Sequence, residues 1–181
     1  MGKSNNVTKL AITGNTRLTL ECMRAILKMP KYSIFSVFGL EKNKLASKVN
    51  SVDLSDFCDK NSILLDQSGD WNGFYDCCKK QDIDMIITLG DSRIVPKSIT
   101  TSFDVIGNHG AVLPDVQGGA SLVWGRILNS GTWGVSIMKI GERVDSGDIL
   151  KVKKFSYQPE ITEKEFTDIA DKLSVQALVE V

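Results

Sequence analysis

The sequence predicts an α/β fold: an open, mostly parallel sheet with helices on both faces. Three observations carry this. Short apolar stretches of strand type alternate with segments of helical spacing, the pattern that builds parallel βαβ units. Residues 84–90 (DMIITLG) are nearly continuously apolar, as a strand covered on both faces must be. Glycine- and asparagine-bearing breaks stand at the ends of the strand-like runs (Gly14-Asn15, Gly90-Asp91, Asn108-His109-Gly110), where open sheets of this kind place ligands.

The elements follow in order. Residues 7–13 (VTKLAIT) read as a strand, broken by Gly14-Asn15. In 16–28 the residues Leu18, Cys22, Ala25, Ile26 and Met29 share a helical face. Residues 32–40 alternate as a second strand, and 41–60 are polar, a loop with a helix. A third strand is expected over 62–66, and a helix over 71–81 with Phe74, Cys77 and Cys78 inward. Strands over 84–90 and 104–108 precede a helix over 120–128. Two strands, 133–140 and 148–155, lie close enough in sequence for an antiparallel edge, and 162–181 form a last helix. Trp124 and Trp133 are expected in the core. We take 1–181 as a single domain. Its helical pattern runs to the last residue, as expected either of a chain cut from a longer protein or of one that lacks a second domain.

Composition narrows the function classes. With 42% hydrophobic residues the 181-residue chain can bury a sizeable core. Lys plus Arg total 22, as do Asp plus Glu, and no basic run stands out, which argues against a nucleic-acid partner. Residues 1–10 (MGKSNNVTKL) show no signal segment, Asn6 breaks the myristoylation pattern, and no apolar run reaches membrane-spanning length. Cys22, Cys58, Cys77 and Cys78 fit no zinc spacing and read as reduced, mostly buried thiols. A cytoplasmic protein without a metal is the expectation.

His109 is the only histidine. An imidazole titrates near neutrality and can take or give a proton at cellular pH. Asp145, in the turn ERVDSGDI, can orient it if the fold brings the two together. Asn108 offers an amide N–H to an oxyanion. No G-x-S-x-G elbow occurs, which favours direct transfer to a bound nucleophile. The plainer readings are a satisfied histidine at a strand end, a turn-forming aspartate, and a simple turn with a helix cap at Gly14-Asn15-Thr16 in place of an anion cradle.

Taken together, these residues resemble the folate-dependent formyltransferases, which include glycinamide ribonucleotide, methionyl-tRNA and nucleotide-sugar enzymes. His109-Gly110-Ala111-Val112-Leu113-Pro114 follows the family's histidine and small-residue loop, and Gln117-Gly118-Gly119 comes at the right distance. Gly134-Val135-Ser136 and Asp145-Ser146-Gly147 match two further motifs, and Gly90 to Pro96 resembles the loop after the fourth strand. The resemblance implies a Rossmann-like formyltransferase fold and 10-formyltetrahydrofolate as donor to a primary amine. It implies His109 and Asp145 in proton transfer and the pterin against the main chain of Arg93, Ile94, Val95, Ile140, Gly141 and Glu142. Gly14, Asn15, Gly110, Gln117 and Gly118 then face the acceptor.

Two departures matter. The family asparagine stands two residues before the histidine, where this chain has Gly107. Asn108 serves as oxyanion donor only if Gly107 permits a bulge that re-aims it. Gln117 replaces the arginine usual in the transfer-RNA enzymes. With zero net charge, Gln117, and Thr16-Arg17-Leu18 in place of the purine enzyme's glycine-serine-asparagine loop, the acceptor expected, mostly by elimination, is a nucleotide-linked amino sugar. The alternatives are a formyltetrahydrofolate hydrolase, a methionyl-tRNA formyltransferase-like enzyme and a non-catalytic folate-binding module. A homodimer is compatible with the sequence.

Overall fold

A computed structural model describes residues 7–48 and 50–181. Residues 1–6, on which the myristoylation reading and most of the signal-segment reading rest, lie outside the described residues. The chain divides into two compact units, one ending at Val105 and the other running Ile106–Val181. The strand order is β3-β2-β1-β4-β5-β6-β7, with β5 (Asp104–His109) beginning in the first unit and ending in the second.

In the first unit β1 (Thr8–Thr13) runs parallel between β2 (Tyr32–Phe38) and β4 (Met85–Thr88), and β3 (Leu64–Asp66) lies parallel outside β2. Leu10, Ala11 and Ile12 are each at most 1% exposed. Consecutive buried residues on one strand mean that both faces of the sheet are covered. Helix α1 (Arg17–Ile26) buries Leu18, Cys22, Met23 and Ile26 along one stripe. Two short helices, α2 (Lys42–Leu45) and α3 (Ser55–Lys60), occupy the polar segment. Helix α4 (Trp71–Lys80) is capped by Asp70 and buries Phe74 and Cys78. Cys77 is half-buried, short of the inward position its neighbours take.

Helix α5 (Lys97–Ser102) has no counterpart in the sequence reading. Its sequence, KSITTS, is rich in serine and threonine, poor helix formers whose hydroxyls compete for the backbone. It begins at Pro96 and hangs on the fully buried Ile99.

The second unit holds the end of β5, then helix α6 (Ser121–Leu128), strands β6 (Thr132–Lys139) and β7 (Ile149–Ser156), and helix α7 (Glu163–Val179). The β6–β7 pair is antiparallel as expected, and β5–β6 is antiparallel too. Ala111, Trp133, Tyr157 and Phe166 form the core here. A Cβ on Gly125 would lie 2.6 Å from the Trp133 ring, so only glycine lets α6 sit this close. Trp124, one residue earlier, is 52% exposed, contrary to its expected place in the core. Gly125 is the buried position of α6 and its neighbour turns outward.

None of the four cysteines forms a disulfide. Burial pushes the thiol of Cys58 up to about 11 and that of Cys78 up to about 12. Reaction needs the thiolate, so at pH 8 a disulfide reagent is expected to label Cys77 well ahead of the buried Cys22, Cys58 and Cys78. Peptide mass mapping of the labelled native protein checks this. Among the described residues no helix is long and apolar enough to cross a membrane.

Candidate functional site

His109 is the last residue of β5 and is 7% exposed. It pairs with Ser136 across the β5–β6 ladder. Its Nε2 lies 2.9 Å from the carbonyl oxygen of Val116. A carbonyl only accepts, so this nitrogen carries a hydrogen and donates. Nδ1 then faces Asp145 Oδ2 at 3.5 Å. The ring is thus set between two acceptors, a carbonyl and a carboxylate. An imidazolium, which donates from both nitrogens, matches both, so the setting accommodates the charged form that proton transfer produces.

Asp145 is fixed from its own side. It stands in the left-handed region (φ 52°) of the turn between β6 and β7. Its Oδ2 accepts from the Gly118 N–H at 2.8 Å, and its carbonyl accepts from Gln117 Nε2 at 3.0 Å. Gly118 has φ 98°, which glycine alone adopts readily. His109, Asp145, Gln117 and Gly118, read separately from the sequence, therefore meet in one place.

The loop that carries Val116 is tied to β6. The Ser136 hydroxyl donates to the Ala111 carbonyl at 2.8 Å and accepts from the Leu113 N–H at 3.0 Å. Trp133 Nε1 donates to the Gly110 carbonyl at 2.8 Å. The Val116 N–H closes a turn on the Val112 carbonyl at 3.0 Å, which presents the Val116 carbonyl to the imidazole. A Cβ on Gly110 would come within 2.8 Å of Ser121 Oγ. Val116 escaped the sequence reading because every residue type has a carbonyl. Ser136 was visible within the Gly-Val-Ser motif, although its hydrogen bonds were not.

Asn108 departs from expectation. The β5–β6 register is unbroken from Ile106 opposite Lys139 to His109 opposite Ser136. This ladder has no bulge at Gly107, and strand alternation places Asn108 on the face opposite His109. Glycine removes the side chain at position 107 without re-aiming its neighbour.

Ile140, Gly141 and Glu142 follow β6 directly. Ile140 is half-buried, the other two are exposed, and Val144 beyond them is 63% exposed. Gly147 closes the turn. A Cβ there would fall 1.8 Å from the Lys139 carbonyl oxygen. Gly147→Ala must open this turn, and by analogy with overpacked sites it is expected to cost about 1–3 kcal/mol. A calorimetric melt lowered by several degrees would register the loss.

In the first unit, Gly14 and Gly90 let the start of α1 meet the end of β4. A Cβ on Gly14 would lie 2.0 Å from the Leu89 carbonyl oxygen, and one on Gly90 2.2 Å from Thr16 Oγ1. Three main-chain donors of the anion cradle considered for this turn are already engaged within the chain. Thr16 N–H bonds Thr19 Oγ1 at 3.0 Å, Arg17 N–H the Asn50 carbonyl at 3.3 Å, and Thr19 N–H Thr16 Oγ1 at 3.4 Å. Thr16 and Thr19 form a capping box, so the plainer cap reading holds. Asn15 keeps a donor to offer: its Nδ2 is buried without a hydrogen-bond partner among the described residues. Arg93 and Val95 are half-buried in the connection between β4 and α5, with Ile94 between them 77% exposed.

Comparison with known proteins gives the family and the fold. The model of the Formyl transferase family matches residues 41–181. The methionyl-tRNA formyltransferase of Mycoplasma mycoides subsp. mycoides is 23% identical over 147 residues, 79% of this chain and 46% of that protein. The chain thus spans less than half the length of this relative. The crystal structure of phosphoribosylglycinamide formyltransferase from Bacillus halodurans superposes with a TM-score of 0.79 at 16% identity, covering 93% of this chain and 90% of the other. A formyltetrahydrofolate deformylase from Pseudomonas syringae pv. tomato gives 0.81 at 12% identity, covering 97% and 59%. These likenesses establish the fold, a mostly parallel Rossmann-like sheet, and the family match over most of the length shows that the chain belongs to the formyl transferase family.

Proposed function

We propose that the chain transfers a formyl group from 10-formyltetrahydrofolate to a primary amine. The observation that carries this reading is the nearly buried His109 held between the Val116 carbonyl and Asp145. The amine nitrogen attacks the formyl carbon, forming a carbon–nitrogen bond and a tetrahedral oxyanion. The bond from that carbon to N10 of the folate then breaks, the amine gives up a proton and N10 gains one. His109 carries the proton. The acceptor reaches Nε2 by displacing the Val116 carbonyl, the ring moves its remaining hydrogen to Nδ1, and Asp145 holds the imidazolium as it forms. Main-chain groups of Arg93, Ile94, Val95, Ile140, Gly141 and Glu142 hold the donor. With Asn108 on the other face, the oxyanion is left to a main-chain N–H or water. Asn15 Nδ2, Gly14, Gly110, Gln117 and Gly118 meet the acceptor.

The acceptor we favour is a nucleotide-linked amino sugar. Zero net charge supports it, as does Gln117, which spends its amide on the Asp145 turn and brings no cation. Methionyl-tRNA is the second reading, because the Mycoplasma relative is named for it. Tetrahydrofolate release, followed by absorbance with each amine in turn and with none, tests the proposal. Release that requires an acceptor and falls in Asp145→Asn supports transfer and names the acceptor class. Release without any acceptor supports the hydrolase instead, and folate binding without release under any acceptor supports a binding module.

A further inference from the structure

The connection between β4 and α5, on which the donor's pterin is proposed to rest, has no regular structure of its own, so something else must hold it in shape. The guanidinium of Arg93 does so. Its Nε lies 3.0 and 3.1 Å from the two carboxylate oxygens of Asp91. Its Nη2 lies 2.7 Å from Asp91 Oδ2 and 2.8 Å from the Phe38 carbonyl, and Nη1 lies 3.0 Å from the Gly39 carbonyl. The Nε–H, both Nη2 hydrogens and one on Nη1 are thereby used. Asp91 Oδ1 also accepts from the Arg93 N–H at 3.0 Å, and its side chain is 3% exposed.

The anchor at the other end is firm. The Phe38 carbonyl also accepts from the Gly14 N–H, and the Gly39 N–H bonds the Asp66 carbonyl, so the end of β2 is tied to β1 and β3. The guanidinium carbon lies 4.3 Å from the centroid of the Phe38 ring and 5.2 Å from that of Trp71, a cation over two aromatic faces. Lys48 Nζ adds a bond to Ser92 Oγ at 2.6 Å. Beside this clamp Ile94 stays exposed. An arginine near an anionic donor is ordinarily read as a ligand for its carboxylates, but this one is committed to the chain.

We infer that Arg93 is a positioning residue: its side chain pins residues 91–95 to the carboxyl end of β2 and acts on donor binding only through the main chain of that loop. The inference rests on the folate reading above. A lysine keeps the charge but cannot form the paired bonds to Asp91 and the two carbonyls together.

The test compares Arg93→Lys with wild type, and Asp91→Asn as a second variant that keeps the arginine. Two ligands are titrated: tetrahydrofolate, and tetrahydropteroate, which has the same pterin and benzoyl groups without the glutamate. Amide hydrogen exchange over residues 90–95 is followed without ligand. The expected result is faster exchange and an equal loss of affinity for both ligands, on the order of tenfold, as for a lost charge-assisted hydrogen bond. At saturating donor kcat stays near wild type while KM for the donor rises. A loss confined to tetrahydrofolate overturns the inference in favour of a direct grip on the glutamate carboxylates. Unchanged affinity or unchanged exchange in both variants overturns it too. A wild-type chain that binds neither ligand overturns the folate reading and this role together; one that binds both, unaffected by Arg93→Lys and Asp91→Asn, overturns this role alone.

Discussion

His109→Ala is expected to lower acceptor-dependent formyl transfer about 10²- to 10⁴-fold, the range that positioned general acid–base groups contribute. The loss should fall on kcat, because the donor's proposed contacts come from main-chain groups that this substitution leaves in place. The substitution also deprives the Val116 carbonyl of its donor and Asp145 of its facing imidazole. Thermal unfolding of the same samples separates the causes. A melting temperature close to wild type with transfer lost assigns the effect to chemistry. Imidazole added at millimolar concentration, which fits the space vacated, should restore part of the rate in His109→Ala and do nothing for wild type.

Phe166→Ala should have the largest effect on stability, about 3–5 kcal/mol for a phenylalanine removed from a packed core. Phe166 is 1% exposed, and its ring meets Tyr157 edge-on at 5.0 Å and Phe155 at 5.1 Å between centroids. The same cluster contains Ala111 and Trp133, two residues that bound the loop after His109. Trp133 fixes the Gly110 carbonyl, so a cavity beneath the indole slackens the segment that presents Val116 to the imidazole. Chemical denaturation with urea measures the cost. At temperatures where the variant remains folded, transfer is expected to fall less than in His109→Ala, because the proton carrier is still there.

The strands were legible because burial leaves a strong mark on composition. Residues 84–90 are apolar on both faces since that strand is covered on both sides, and every predicted strand appears within a few residues of its place. Helix α5 was hidden because KSITTS carries no apolar stripe beyond Ile99. Trp124 misled because α6 turns a glycine inward at position 125, and a glycine gives no hydrophobic signal. In the site, the side chains that do chemistry could be read: His109 is unique, and Asp145 stands at a motif spacing. Their supports could not, since the Val116 carbonyl, the Gly118 N–H and the Phe38 and Gly39 carbonyls belong to the backbone and leave no trace in residue identity. Asn108 shows the reverse case. Sequence offered an asparagine beside the histidine, and one residue of strand register was enough to turn it to the other face.

The most direct measurement supplies 10-formyltetrahydrofolate labelled with carbon-13 in the formyl group and follows that carbon by NMR in the presence of a nucleotide-linked amino sugar. The expected result is a new formamide carbon on the acceptor, appearing in step with tetrahydrofolate and at least about a hundredfold more slowly with His109→Ala. Label appearing only as formate, at the same rate with and without the amine, would contradict the account.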